Sequence, residues 1–207
     1  MHLALIGMSG IGKSAWATRL AQHGYAQIDA DALLAARIAG RLGVPLADVY
    51  ALGAWMGFPH QDGYAAREAL FLAEECALLE TIANELAQCD ARQPTVIDLG
   101  GSAIYAGTAY FARLRRVARI VYLAADAQLL PDLVATYLAA PKPVVWNGSF
   151  VQHAAEDPRV ALARCYPALL AARAVAYAAV ADVMLPAAFH RDPGVAAGAF
   201  VARARHA

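Results

Sequence analysis

Short apolar runs bounded by glycine or charge alternate along this chain with longer stretches whose apolar positions recur every three to four residues. Leu3-Ala4-Leu5-Ile6 is the first run and predicts a strand, followed by a helix over Ser14 to Gln22. Gly24-Tyr25-Ala26-Gln27-Ile28 predicts a second strand ending in Asp29-Ala30-Asp31, and helical period resumes from Ala32 to about Arg41. The pattern then loosens around Gly43, Pro45, Gly53, Gly57, Pro59 and Gly63. A long helix follows from Tyr64 to about Gln88, with Leu70, Leu78, Leu79, Ile82 and Leu86 as its apolar stripe. Thr95 to Leu99 predicts a third strand, then come the turn Gly100-Gly101-Ser102 and a helix near Tyr105 to Arg115. Arg119 to Leu123 predicts a fourth strand and Val180 to Leu185 a fifth.

Strands and helices in alternation imply an α/β fold, a parallel sheet covered by helices on both faces. In such sheets ligands collect at the carboxyl ends of the strands. The segments that follow strands one, two and three should therefore face one cleft. A helical stretch from Leu129 to Leu138 gives way to Pro141-Lys142-Pro143-Val144-Val145-Trp146-Asn147-Gly148, which cannot continue a helix and reads as lying outside the core. The region of about 127–159 is expected to be a lid, and that of about 32–88 a substrate subdomain, within a single domain spanning 1–207.

The loop after strand one carries the most specific signal. Gly7-Met8-Ser9-Gly10-Ile11-Gly12-Lys13-Ser14 matches G-x-x-x-x-G-K-[ST] in full, with a strand before it and a helix after it. Glycine permits positive φ, so successive N–H groups can converge on phosphate oxygens, and the helix N-terminus adds partial positive charge. Gly7, Ser9, Gly10, Ile11, Gly12, Lys13, Ser14 and Ala15 are the expected nucleotide contacts, with Lys13 reaching the β- and γ-phosphates of ATP and Ser14 ligating Mg²⁺.

The other candidate residues each have a plainer reading beside the chemical one. A carboxylate at a strand end can support Mg²⁺ or accept a proton from an acceptor hydroxyl, which suits Asp29, Asp31 and Asp98. Asp29 or Asp31 equally suits the cap of the helix that begins near Ala32, and Asp98 a turn before Gly100. Lys142 shares with Lys13 the distinction of being one of two lysines in the chain. It is either a lid cation that covers the transferring phosphoryl group or a solvated surface lysine.

Composition narrows the class without choosing within it. Lys plus Arg number 17 and Asp plus Glu 17, which gives no electrostatic case for nucleic acid or an anionic membrane surface, and no obligate protein partner is expected. Hydrophobic residues make up 60% of the chain, much of it alanine, yet no run reaches the roughly 18 uninterrupted apolar residues of a spanning helix. The first residues carry no basic region of a signal peptide, and a cytoplasmic protein is expected. Cys76, Cys89 and Cys165 are too widely spaced for zinc and read as small core residues. The six histidines are scattered singly and read as surface or loop positions.

Taken in order, these features resemble the shikimate kinase family within the wider class of small P-loop kinases. The likeness runs through the phosphate loop, Asp29-Ala30-Asp31, Gly63-Tyr64 with Glu68, Gly100-Gly101-Ser102, Lys142-Pro143-Val144-Val145 and Arg173-Ala174-Val175-Ala176-Tyr177. It implies a three-layer P-loop NTPase fold with a five-stranded parallel sheet. It also implies Mg²⁺ and ATP as cofactors, with Ser14 and Asp29 at the metal, Asp31 at the acceptor hydroxyl, and Lys13 and Lys142 in catalysis. Gly100 and Gly101 would offer backbone N–H groups to the acceptor, and Arg173 would bind its carboxylate or meet the developing charge. The chain departs from the family in three places: Ala65 stands where an arginine is expected, lysine replaces the lid arginine at 142, and the proline and leucine beside Arg173 are changed. The stretch between Asp31 and Tyr64 is longer and carries Trp55, Met56 and Phe58, which either reshape the acceptor pocket or pack as core.

ATP-dependent phosphoryl transfer to a hydroxyl of a small metabolite is the expected function. Two other readings stand beside it: a kinase of a sugar acid or nucleoside monophosphate, and a nucleotide-binding module without efficient transfer. A third, weaker reading is an interaction protein that uses exposed Trp16, Trp55 and Trp146.

Overall fold

Every residue of the first strand, β1 (His2–Ile6), is buried, because strands lie on both of its edges and helices cover the sheet. The computed structural model describes residues 1–88, 93–140 and 142–206. Cys89 and Pro141, named above as a core residue and a lid residue, lie outside the described residues.

Five parallel strands stand in the order β2-β3-β1-β4-β5, with β2 at Ala26–Asp29, β3 at Thr95–Asp98, β4 at Ala118–Leu123 and β5 at Val183–Leu185. The connection from β1 leads across to β2 on one side, whereas that from β4 leads to β5 on the other. Adjacent strands whose connections diverge leave a crevice at their carboxyl ends. Gly7 sits there: a Cβ on it would lie 2.7 Å from the Leu123 carbonyl oxygen at the end of β4.

Register places the candidate carboxylates side by side. Asp98 pairs with Leu5 on one edge of β3 and with Asp29 on the other. The ends of β1, β2 and β3 are therefore level, and their loops open on the same side, as the alternating pattern predicts.

The helices are α1 (Lys13–Ala21), α2 (Ala30–Leu42), α3 (Val49–Met56), α4 (Tyr64–Gln88), α5 (Thr108–Leu114), α6 (Leu130–Ala139), α7 (Pro158–Val180), α8 (Ala187–His190) and α9 (Ala197–His206). Five of them fall where the pattern predicts them, with differences at their ends, and α3, α7, α8 and α9 were not predicted. α3 lies inside the stretch read as loose. It starts where the Asp48 carboxylate accepts the Tyr50 and Ala51 N–H groups and stops at Gly57, with φ at +72°. α7 runs through Val180, which was expected to begin the last strand. It is long and apolar enough to pass for a membrane span, yet Leu162, Cys165, Tyr166, Leu169, Leu170 and Tyr177 are buried within the fold.

Packing corrects three further expectations. Val144, Val145 and Trp146 are buried, not outside the core, and Trp146 lies among Tyr137, Phe150 and Tyr166. Trp16 and Trp146 are buried and Trp55 is half-buried, which removes the aromatic surface that the interaction reading needs. His2 and His190 are buried as well: Thr95 N–H donates to His2 Nδ1, and His190 Nε2 lies 2.9 Å from the Ala124 carbonyl. Burial lowers the pKa of both histidines.

Candidate active site

The phosphate loop has the backbone its glycines allow, with φ of +144° at Gly7, +81° at Gly10 and +110° at Gly12. L-residues are strained in these conformations, and at Gly7 a side chain would also meet backbone. Lys13 is buried at the start of α1, and its ammonium donates to the Gly7 and Met8 carbonyls at 3.1 Å each. Burial pulls its pKa down, while the charges of Asp98 and Asp31 act in the opposite sense.

Asp98 is buried at the end of β3. Desolvation pushes its pKa up; Lys13 and the Ser14 hydroxyl offset part of this. Asp29 is exposed and caps α2, its Oδ1 accepting the Ala32 N–H at 3.0 Å. Since α2 begins at Ala30, Asp31 lies in its first turn and points into the cleft. Burial pushes its pKa up to about 6, against the pull of Lys13 and with a further push from Asp98 and Asp29. Hard oxygen donors from one hydroxyl and one carboxylate suit Mg²⁺, which keeps several waters and phosphate oxygens in its shell. Among the described residues no cluster of three His, Cys, Asp or Glu offers a full protein cage for another metal.

The turn after β3 closes the far wall. A Cβ on Gly100 would stand 2.7 Å from Asp31 Oδ1 and 2.9 Å from Glu75 Oε1. One on Gly101 would stand 3.3 Å from Arg173 Nη1 and 3.8 Å from the backbone nitrogen of Ser9. The two glycines thus let acids, guanidinium and phosphate loop approach a single turn. Tyr177 holds it from α7 by donating to the Gly101 carbonyl at 2.6 Å.

Arg173 is only 3% exposed. Its guanidinium lies over the Tyr105 ring at 5.5 Å and donates through Nη2 to the Val145 carbonyl at 2.7 Å. The strap of residues 142–147 is held from the other side by α4. Tyr64 donates its hydroxyl to the Val144 carbonyl at 2.8 Å, and Glu68 Oε1 accepts the N–H groups of Trp146 at 2.6 Å and Asn147 at 3.2 Å. The strap is therefore seated between α4 and Arg173 of α7. Lys142, half-buried at its start, has its ammonium 5.4 Å from the Tyr50 ring centroid and lines a cavity of about 100 Å³ opposite Ser9 and Gly10.

The structure thus brings Lys13, Ser14, Asp31, Asp98, Gly100, Gly101 and Arg173 together, with Lys142 across the mouth and Asp29 at the rim. Ala65 is exposed. Arg67 does not replace an arginine there: it donates to the carbonyls of Met56 at 2.9 Å and Asp62 at 3.1 Å, tying α3 to α4. Glu75 was not singled out by the sequence. Its signal was position: it stands four residues after Phe71 and four before Leu79, on the buried stripe of α4.

Comparison with known proteins agrees with this architecture. Residues 3–184 match a family described as an AAA domain. Shikimate kinase from Acinetobacter baumannii in complex with shikimate is 22% identical, with 97% of this chain and 88% of that one covered and a TM-score of 0.51. Shikimate kinase from Bacteroides thetaiotaomicron is 17% identical, covering 99% and 94%, with a TM-score of 0.55. Shikimate kinase from Aquifex aeolicus is 14% identical, covering 99% and 96%, with a TM-score of 0.58. No curated protein sequence matches the chain. The fold is that of the P-loop kinases.

Proposed function

The chain belongs to the AAA domain family, and from that premise we propose that it is a Mg·ATP-dependent kinase which transfers the γ-phosphoryl group to a hydroxyl of a small metabolite. One observation carries the reading. The buried Lys13 ammonium lies within the electrostatic reach of two carboxylates, Asp98 and Asp31, at the mouth of a complete phosphate loop. An ammonium held there can leave its two carbonyl partners for phosphate oxygens, while the loop amides take the rest of the polyphosphate.

Phosphoryl transfer asks the protein mostly for positioning and charge stabilisation. Lys13 meets the β- and γ-phosphates. Asp31 orients the acceptor hydroxyl and accepts its proton, a task suited to a carboxyl whose pKa lies nearer neutrality. Ser14, Asp98 and Asp29 would hold Mg²⁺, which would supply charge neutralisation to the phosphates. Gly100 and Gly101 present the acceptor with backbone amides, and Arg173 meets an acidic group of the acceptor or the developing charge. Residues 32–88 form the acceptor side and 127–159 the lid, from which Lys142 faces the phosphates. A cavity of about 270 Å³ beside Gly12 and Ala15, lined by Arg19, Arg191 and Pro193, gives room for the base and ribose.

ADP release measured over a panel of shikimate, sugar acids and nucleoside monophosphates tests the proposal. At least one hydroxylated acceptor should raise release well above hydrolysis without acceptor. The seated strap, whose Val145 carbonyl occupies an Arg173 donor, favours one second reading, a nucleotide-binding module that transfers poorly. Tight ATP binding with no acceptor-dependent ADP would select it.

A further inference from the structure

α4 carries two adjacent buried glutamates with opposite surroundings. Glu74 is neutralised by Arg37 and Arg41 of α2, which hold its pKa below the usual carboxylate range. Glu75 makes no ion pair among the described residues. It is 4% exposed, and its Oε1 accepts the Ser102 hydroxyl at 2.8 Å. The same oxygen closes on Gly100 together with Asp31 Oδ1, at 2.9 Å and 2.7 Å from the position a Cβ would take.

Groups from each element around Glu75 feel its charge or act on it. They are Asp31 of α2, Ser102 of the turn, Tyr110 of α5, Arg173 of α7 and Cys76 beside it on α4. The Tyr110 hydroxyl is buried and has no hydrogen-bond partner. Two carboxyl groups this close disfavour joint ionisation, and the drier one keeps its proton. Burial is the main cause that pushes Glu75 up to about 8, with Asp31 adding to it and Ser102 and Arg173 acting against it.

We propose that Glu75 is a positioning residue for phosphoryl transfer: its carboxyl accepts the Ser102 hydroxyl and so pins the Gly100-Gly101-Ser102 turn beside Asp31, and while it keeps its proton it does this without setting a second negative charge against Asp31. The inference rests on the phosphoryl-transfer reading above. At neutral pH the turn is held and Asp31 has no second negative charge against it. At alkaline pH Glu75 gives its proton to solvent and a second negative charge faces Asp31.

The test is ATP hydrolysis, with water in the acceptor's place, over a range of Mg·ATP up to saturation from pH 6 to 9.5, in the wild type, Glu75→Gln and Glu75→Ala. Wild-type turnover is expected to fall severalfold above about pH 8, following the ionisation of Glu75. Glu75→Gln, which cannot ionise, should lose that falling limb while keeping the wild-type KM for ATP. Glu75→Ala should lose tenfold or more in kcat across the range. Ser102→Ala is the second variant, needed should Glu75→Gln fail to fold. It removes a hydrogen bond that favours the charged form, so the falling limb should move to higher pH. Superimposable wild-type and Glu75→Gln profiles, or a Ser102→Ala limb that does not move, overturn the inference and leave the kinase reading standing. A wild type that neither binds nor hydrolyses ATP overturns both.

Discussion

The Arg173 guanidinium donates to the Val145 carbonyl at 2.7 Å, so the buried arginine beside Gly101 also holds down the strap above it. Arg173→Lys keeps one charge but cannot stack flat on Tyr105 and reach Val145 with a planar fork. Acceptor-dependent turnover should fall by about ten- to a hundredfold, in line with roughly 1.4 kcal/mol per decade, while affinity for ATP stays unchanged. Steady-state kinetics beside calorimetric titration with Mg·ATP would read the two effects separately.

The opposite anchor of the strap is Glu68, which accepts two successive backbone N–H groups from Trp146 and Asn147. Glu68→Ala leaves both donors without it, at a cost of about 1–3 kcal/mol. Hydrogen exchange at the amides of Trp146 and Asn147 should accelerate, whereas exchange in β1 and β4 should change far less.

Gly7 combines φ of +144° with an approach that puts any Cβ 2.7 Å from the Leu123 carbonyl oxygen. Backbone rather than a flexible side chain is the obstacle, so Gly7→Ala should destabilise by about 2 kcal/mol or more and abolish nucleotide binding. Gly100→Ala meets two carboxyl ends instead, and these can shift. That variant should fold with near-normal stability and lose turnover. Thermal unfolding together with ADP release distinguishes the pair.

The phosphate loop and the sheet were legible in the sequence because they rest on local rules. An eight-residue motif specifies a backbone shape, and apolar runs of four to six residues between glycines specify buried parallel strands. α3 was missed because Gly53 and Gly57 mask a short helix that Asp48 begins by capping. α7 was missed altogether because Pro167 lies inside it. The burial of Val144 to Trp146 depends on partners in α4, α6 and α7, which spacing cannot supply. The same holds for the site. Lys13 and Ser14 could be named from the motif, and Asp29, Asp31 and Asp98 from their strand ends. That Asp98 is buried near Lys13 and Ser14 while Asp29 caps α2 follows from register and from where α2 begins. Glu75 is a charged residue on an apolar stripe, a mismatch that marks a buried polar contact only once Ser102 and Gly100 are placed against it.

Stability should carry the trace of the Glu75 proton. Its folded pKa, about 8, lies above the ordinary value of 4.5, so between those limits the folded chain binds more protons than the unfolded one. Its contribution is fully present below about pH 4.5, declines as pH rises through the interval and is flat above about 8. Denaturant titrations at pH 5, 7 and 9 should show a downward trend in the wild type that is shallower in Glu75→Gln.

The central claim is that the loop from Gly7 to Ser14 grips a nucleoside triphosphate through the Lys13 ammonium. Calorimetric titration of Mg·ATP into the wild type and into Lys13→Ala tests it most directly. The account predicts saturable heat in the wild type and, in the variant, affinity weakened by about a hundredfold or more, as for removal of a principal charge stabiliser worth roughly 3 kcal/mol. A wild type with no heat of association at millimolar Mg·ATP, or a variant that binds as tightly as the wild type, would contradict it.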